Sequence, residues 1–201
     1  MPRVLVVQHA EKRAAPGDPG LSANGAAQAA ALAGRLAWCG AVALYASPLR
    51  RARETAEPLA RRLGLPIRTD DRLRERMTWS GEEPFEEFLA EWDRATRDRT
   101  YVPRYGDSSA AAAARFLAFL RDVAVVPGTV VAVTHGGVTV DLLRTLLGDG
   151  GVPCVLRAEG MPPAGVTTLR LVGGRWTVES VGVLGEHAVG DAPGLAGSAG
   201  R

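Results

Sequence analysis

Val4-Leu5-Val6-Val7-Gln8-His9-Ala10-Glu11-Lys12 is the stretch that decides the fold. Four consecutive apolar residues, three of them valine, read as a short strand buried on both faces, the kind found in parallel sheets. A histidine delivered at the C-terminal end of such a strand stands where open α/β sheets bind their ligands. His9 is therefore the first candidate functional residue, and Gln8 beside it the second.

Working outward, strand and helix patterns alternate. After a Pro/Gly loop at residues 16–20, Asn24 is a good helix N-cap, and Ala29, Leu32, Ala33 and Leu36 fall on one helical face. Val42 to Tyr45 form a second apolar run. Ser47-Pro48 then reads as a helix start, with Ala52, Ala56, Leu59 and Leu63 at helical spacing and Gly64 and Pro66 as stop signals. Asp107 is positioned to cap a third helix that turns Ala113, Phe116, Leu117 and Leu120 inward. Thr129 to Val133 is a third buried strand, followed directly by His135-Gly136-Gly137 and a helix carrying Val138, Leu142 and Leu146. Residues 167–172 and 175–181 form a hairpin turned by Gly173-Gly174. The pattern predicts an α/β fold, a three-layer α/β/α sandwich with a mostly parallel central sheet, as one domain over residues 1–185 with a loose Gly/Ala/Pro-rich tail from 186 to 201. Residues 78–104 break the alternation. Phe85, Phe88, Leu89 and Trp92 make an apolar stripe there, which predicts a small helical cap over the sheet edge; the same stripe is a candidate dimer surface, or packed core.

Composition excludes several function classes. The 201 residues are 46% hydrophobic and 23% charged, ordinary for one globular unit, and a formal charge of +2 gives no broad attraction to nucleic acid or membrane. Cys39 and Cys154 have no metal-ligand spacing and read as buried, reduced thiols. The histidines His9, His135 and His187 also lack ligand spacing, so no metal or other cofactor is implied. With no signal-peptide core and no membrane-length apolar run, the expected location is cytoplasmic.

Four segments in order carry a more specific message. Besides Gln8-His9-Ala10-Glu11-Lys12 there are Leu21-Ser22-Ala23-Asn24-Gly25 with Gln28-Ala29, then Ser47-Pro48-Leu49-Arg50-Arg51-Ala52-Arg53-Glu54-Thr55-Ala56, and lastly Leu73-Arg74-Glu75-Arg76 joined with Val133-Thr134-His135-Gly136-Gly137. This ordered set resembles the histidine phosphatase superfamily, the phosphoglycerate mutase-like fold, over about residues 4–150. The resemblance implies a phosphomonoesterase that needs no metal and acts on a small phosphorylated metabolite or a phosphohistidine. It makes His9, Glu75 and His135 catalytic, with His9 the nucleophile and Glu75 the proton-transfer group, and assigns phosphate binding to Gln8, Arg51, His135 and Gly136.

The chemistry explains why these residues are needed together. A neutral imidazole attacking phosphorus gives a phosphohistidine that water later hydrolyses. Phosphoryl transfer is catalysed mainly by positioning and by matching charge on the equatorial oxygens, which calls for cations and hydrogen-bond donors around the nucleophile. Bare glycines after His135 allow close backbone approach to an anion at a helix start. Each residue also has a plainer reading: His9 as a structural histidine, Arg51 on a solvated helix face, Glu75 within surface ion pairs from Asp70 to Arg76.

Position 8 is where the resemblance fails. The family has an arginine, a permanent charge with a rigid fork for two phosphate oxygens, whereas the Gln8 amide is neutral. Lys12, Arg13 and Arg50 are candidates to restore the charge. Two readings follow: a working phosphatase with an altered pocket, or a pseudo-phosphatase that binds an anionic ligand or lends the fold to another reaction. A mutase fits less well because the cap segment is short, and scattered arginines give no support for nucleic-acid binding.

Overall fold

The computed structural model describes residues 1–183; the expected tail lies outside them. Six strands form one sheet: β1 Arg3–Gln8, β2 Ala41–Ala46, β3 Ile67–Thr69, β4 Thr129–Thr134, β5 Val166–Val172 and β6 Arg175–Val183. Their order is β3-β2-β4-β1-β5-β6. β1 and β2 both run parallel to β4, and β3 parallel to β2, whereas β5 is antiparallel to β1 and β6 to β5. The fold is α/β with helices on both faces of this mixed sheet, as the alternation predicts.

Period-two side-chain alternation splits the core. Leu5 and Val7 face one side, where they pack with Leu44, Val131 and Val133 under Leu32 of α1 (Ala23–Arg35), Leu36 at its C-cap, and Ala56 and Leu59 of α2 (Arg50–Leu63). Val4 and Val6 face the other, joining Val130 and Ala132 under Phe116, Phe119 and Leu120 of α4 (Ser109–Val123) and Val138 and Leu142 of α5 (Gly136–Leu147). Between them in sequence lies α3 (Phe85–Arg97), and α6 (Cys154–Glu159) precedes the final hairpin. Among the described residues, no helix is long and apolar enough to cross a membrane.

Several local expectations are corrected. Ser22, not Asn24, caps α1: its Oγ accepts from Gly25 N at 2.9 Å, while the Asn24 amide donates to Glu11. Ser108 rather than Asp107 caps α4, because the Asp107 carboxylate is taken by Arg74 and Arg115. α2 begins at Arg50 and has no side-chain cap. Cys39 is buried as expected, but Cys154 is exposed on a helix too short to cover it. In the α3 stripe only Phe88 is buried; Phe85 and Leu89 are 45% and 46% exposed. β3 and α6 have no counterpart in the sequence reading.

Candidate active site

β1 and β4 end in register, Gln8 opposite Thr134, so the residues that follow, His9 and His135, emerge side by side. Their ring centroids lie 5.2 Å apart at an interplanar angle of 59°. Past His9 the chain leaves the sheet and its backbone is pinned by side chains. Ala10 N donates to Thr55 Oγ1 at 3.0 Å, and that hydroxyl donates to the Arg51 carbonyl at 2.7 Å. Glu11 N donates to Gln28 Oε1 at 2.9 Å, and Ser22 N to the Glu11 carbonyl at 3.0 Å. Gly25 packs so tightly on Glu11 that a Cβ would stand 1.9 Å from its carbonyl oxygen. The motif residues Ser22, Gly25, Gln28 and Thr55 thus hold the loop that carries His9. All four stand in the quoted motifs, but a role in holding the loop is visible only once the helices are docked.

His9 Nδ1 lies 2.7 Å from the Ala10 carbonyl oxygen. A carbonyl only accepts, so Nδ1 carries the proton and the lone pair is on Nε2. Burial, against the pull of the Ala10 bond, lowers the His9 pKa to about 3, with the charges of Arg51 and Lys12 acting in the same direction as burial. The ring is neutral at pH 7, the form a nucleophile requires.

His135 is fully buried, and burial first, then the Arg51 charge, pushes its pKa well below the ordinary histidine value. It therefore contributes a dipole and not a charge. Its Nε2 is 2.7 Å from Ser47 Oγ, which also accepts from Leu49 N at 3.3 Å. Ser47 was read as a helix start; its actual work is to fix this imidazole, and only the topology that puts β2 beside β4 could have revealed it. Arg51, in the first turn of α2, is 5% exposed and lies 3.6 Å from Asp18.

Glu75 sits at the start of α5. Its Oε1 accepts from Val138 N at 2.9 Å and Arg76 N at 2.7 Å, and its Oε2 from Gly137 N at 3.0 Å. The helix start that the sequence offered to an anion is thus occupied by a carboxylate of the chain itself. Gly137 is needed for that approach, since a Cβ would stand 2.5 Å from the Trp92 ring and 2.6 Å from Glu75 Oε1. The peptide around Glu75 is anchored by buried Arg76, paired with Asp141 at 3.0 Å, and by Arg115, which donates to the Glu75 carbonyl at 3.0 Å. The surface pairing expected for this segment holds for Arg72 and Arg74 but not for Arg76.

A cavity of about 280 Å³ opens here, its lining including His9, Lys12, Arg51 and Glu75. Gln8, His135 and Gly136 are not among its lining residues; they form a layer behind it, where a Cβ on Gly136 would be 3.6 Å from both polar atoms of the Gln8 amide. Of the three cations offered as substitutes for an arginine at position 8, Lys12 lines the cavity, and burial and the Arg51 charge both lower its pKa. Arg50 is instead paired with Glu54, and Arg13 is not part of the lining. Among the described residues, five buried side-chain nitrogen or oxygen atoms lack a hydrogen-bond partner, and three of them are Gln8 Oε1, Arg51 Nε and His135 Nδ1. Buried polar atoms are normally satisfied, so this concentration marks a place prepared for a polar ligand.

Comparison with known proteins agrees. The family model described as Histidine phosphatase superfamily (branch 1) matches residues 5–183. A mycobacterial glucosyl-3-phosphoglycerate phosphatase, Rv2419c, solved with inorganic phosphate, superposes with a TM-score of 0.74 at 30% identity, covering 90% of this chain and 97% of that one. YhfR of Bacillus stearothermophilus gives a TM-score of 0.74 at 25% identity over 92% and 99% of the two chains. The Mycobacterium tuberculosis protein Rv0525, uncharacterized, is 50% identical over 78 residues, 35% of this chain; the match spans 39% of that relative's length.

Proposed function

The chain belongs to the histidine phosphatase superfamily, and from that premise we propose that it is a metal-independent phosphomonoesterase that works through a phosphohistidine on His9 and acts on a small phosphorylated metabolite or a phosphohistidine. The observation that carries this reading is the tautomer of His9: with Nδ1 tied to Ala10, the Nε2 lone pair belongs to a ring that shares its cavity with Arg51, Lys12 and Glu75. In the first step Nε2 forms a bond to phosphorus as the ester P–O bond breaks, and Glu75 delivers a proton to the departing alkoxide. In the second, Glu75 takes a proton from water as the water oxygen attacks phosphorus and the N–P bond breaks. One lone pair of Oε2 remains free for this exchange after Gly137 has used the other.

Arg51 and Lys12 supply the positive charge that the phosphoryl oxygens need as the transition state spreads charge onto them. His135, held by Ser47, and the Gln8 amide add neutral polar groups near them, and a bound phosphoryl group, whose oxygens only accept, would give a partner to the orphaned Arg51 Nε. The reading is tested by phosphate release from a panel of phosphomonoesters with and without His9→Ala. Release that vanishes with His9→Ala, and a ³²P label that remains acid-labile on the natural protein after quenching, are the expected results. Ligand-induced stabilisation with no turnover on any ester would instead support the pseudo-phosphatase reading, which the neutral residue at position 8 keeps open.

A further inference from the structure

The cavity has a second kind of lining besides the polar residues around His9. It comprises Met77, Trp79, Phe85, Phe88, Leu89 and Trp92, with Thr78 the one hydroxyl among them. The rings form a continuous wall: Trp79 to Phe85 at 4.9 Å between centroids, Phe85 to Phe88 at 6.3 Å and 16°, Phe88 to Trp92 at 6.2 Å. The Arg76 guanidinium lies 4.1 Å from the centroid of Trp92. Trp79 Nε1 already donates to the Glu83 carbonyl at 2.9 Å, which leaves the Thr78 hydroxyl and Trp92 Nε1 as the side-chain hydrogen-bonding groups of the wall.

Core packing accounts for Phe88 but not for Phe85 and Leu89, nearly half exposed although large and apolar. Apolar surface left wet inside a concave site is what a ligand's own apolar surface displaces water from. A polyol or sugar leaving group would bring several hydroxyls into this space and find too few partners for them, an unpaired burial that strongly penalises binding. A flat ring meets no such penalty and finds aromatic neighbours at the spacing in which rings pack well.

We propose that the leaving group is an alcohol carrying an aromatic ring, so that this chain selects aromatic phosphomonoesters over esters of polyols, sugars or hydroxy acids. The inference rests on the phosphomonoesterase reading for which end of the ester faces His9. It also marks a difference from the structural relative whose name specifies glucosyl-3-phosphoglycerate.

The test compares 2-phenylethyl phosphate with glycerol 1-phosphate on the full chain. Both are esters of primary alcohols, so the contrast is in the tail and not in the chemistry of the leaving oxygen. Binding is followed by the fluorescence of Trp79 and Trp92 in the cavity wall, with the intact protein. The phenylethyl ester is expected to bind about tenfold more tightly or better, and Phe85→Ala, at a half-exposed position that tolerates truncation, should cut that ratio by about threefold or more. Equal affinities, tighter binding of the glycerol ester, no detectable binding of either, or a ratio that Phe85→Ala leaves unchanged would each overturn the inference. Turnover of the same two esters with and without His9→Ala speaks to the phosphatase reading alone, so the two failures are distinguishable.

Discussion

In the proposed reaction, a neutral amide at position 8 moves the burden of charge to two side chains, Arg51 and Lys12, and that division can be measured. A hydrogen bond to a charged group contributes about 1.5–3 kcal/mol net, roughly tenfold to a hundredfold in rate if it is made in the transition state. Gln8→Arg is therefore expected to raise kcat/KM for a phosphomonoester by about tenfold. Lys12→Met should lower it by about tenfold in the natural chain, and by clearly less once Gln8→Arg is present, because the two cations would then share the work. Steady-state kinetics on the four proteins of that cycle decide the matter: identical losses in both backgrounds would show that the two cations act independently, and no loss in either would remove Lys12 from the site. His9, Arg51 and Glu75 were legible in the sequence because each sits in a motif whose neighbours are also constrained. Lys12 was only one of three candidates, since which long side chain reaches a cavity depends on what else holds the others: Glu54 captures Arg50.

The elements around the nucleophile act as a clamp. Thr55 in α2 spans from the Arg51 carbonyl to Ala10 N, and its replacement by valine would leave a buried N–H without a partner. Such a loss costs about 1–3 kcal/mol. Thr55→Val is expected to lower kcat with little change in KM, since Thr55 is not among the residues lining the cavity, while Thr55→Ser restores most of the rate. Kinetics together with urea midpoints separate misplacement of His9 from general instability. A second expectation concerns α3, which buries only Phe88 and Ala95. Its amides should exchange with deuterium sooner than those of β1 and β4, whose residues are almost all buried. The strands β1, β2 and β4 and the helices packed on them could be read from periodicity because each presents an uninterrupted apolar pattern. β3 could not: it is three residues long, with Arg68 and Thr69 exposed. α6 buries none of its six residues and so leaves no hydrophobic period. Cap positions were misread for a different reason, competition among neighbouring polar side chains, as when Arg74 and Arg115 draw Asp107 away from α4.

For the molecule as a whole, two imidazoles, His135 buried and His9 half-buried, tie stability to pH. Burial depresses the folded-state pKa of His9 to about 3 and that of His135 well below 6.5. As pH falls below 6.5 the unfolded chain takes up protons that the folded chain refuses, so this contribution is lost steadily from about pH 6.5 toward pH 3. The urea midpoint should fall between pH 7 and pH 4, and His135→Asn, whatever its starting stability, should show a shallower decline over the same range. Parallel slopes would mean that His135 titrates normally. The pairing of Gln8 with Thr134 carries one more consequence. Because each imidazole is the next residue along from a paired strand end, zipping β1 against β4 brings the two rings side by side, and docking of α1 and α2 through Gln28 and Thr55 then sets the loop that carries His9. Recovery of hydrolysis after dilution from denaturant should then trail the circular dichroism of the sheet, and the lag should lengthen in Thr55→Val.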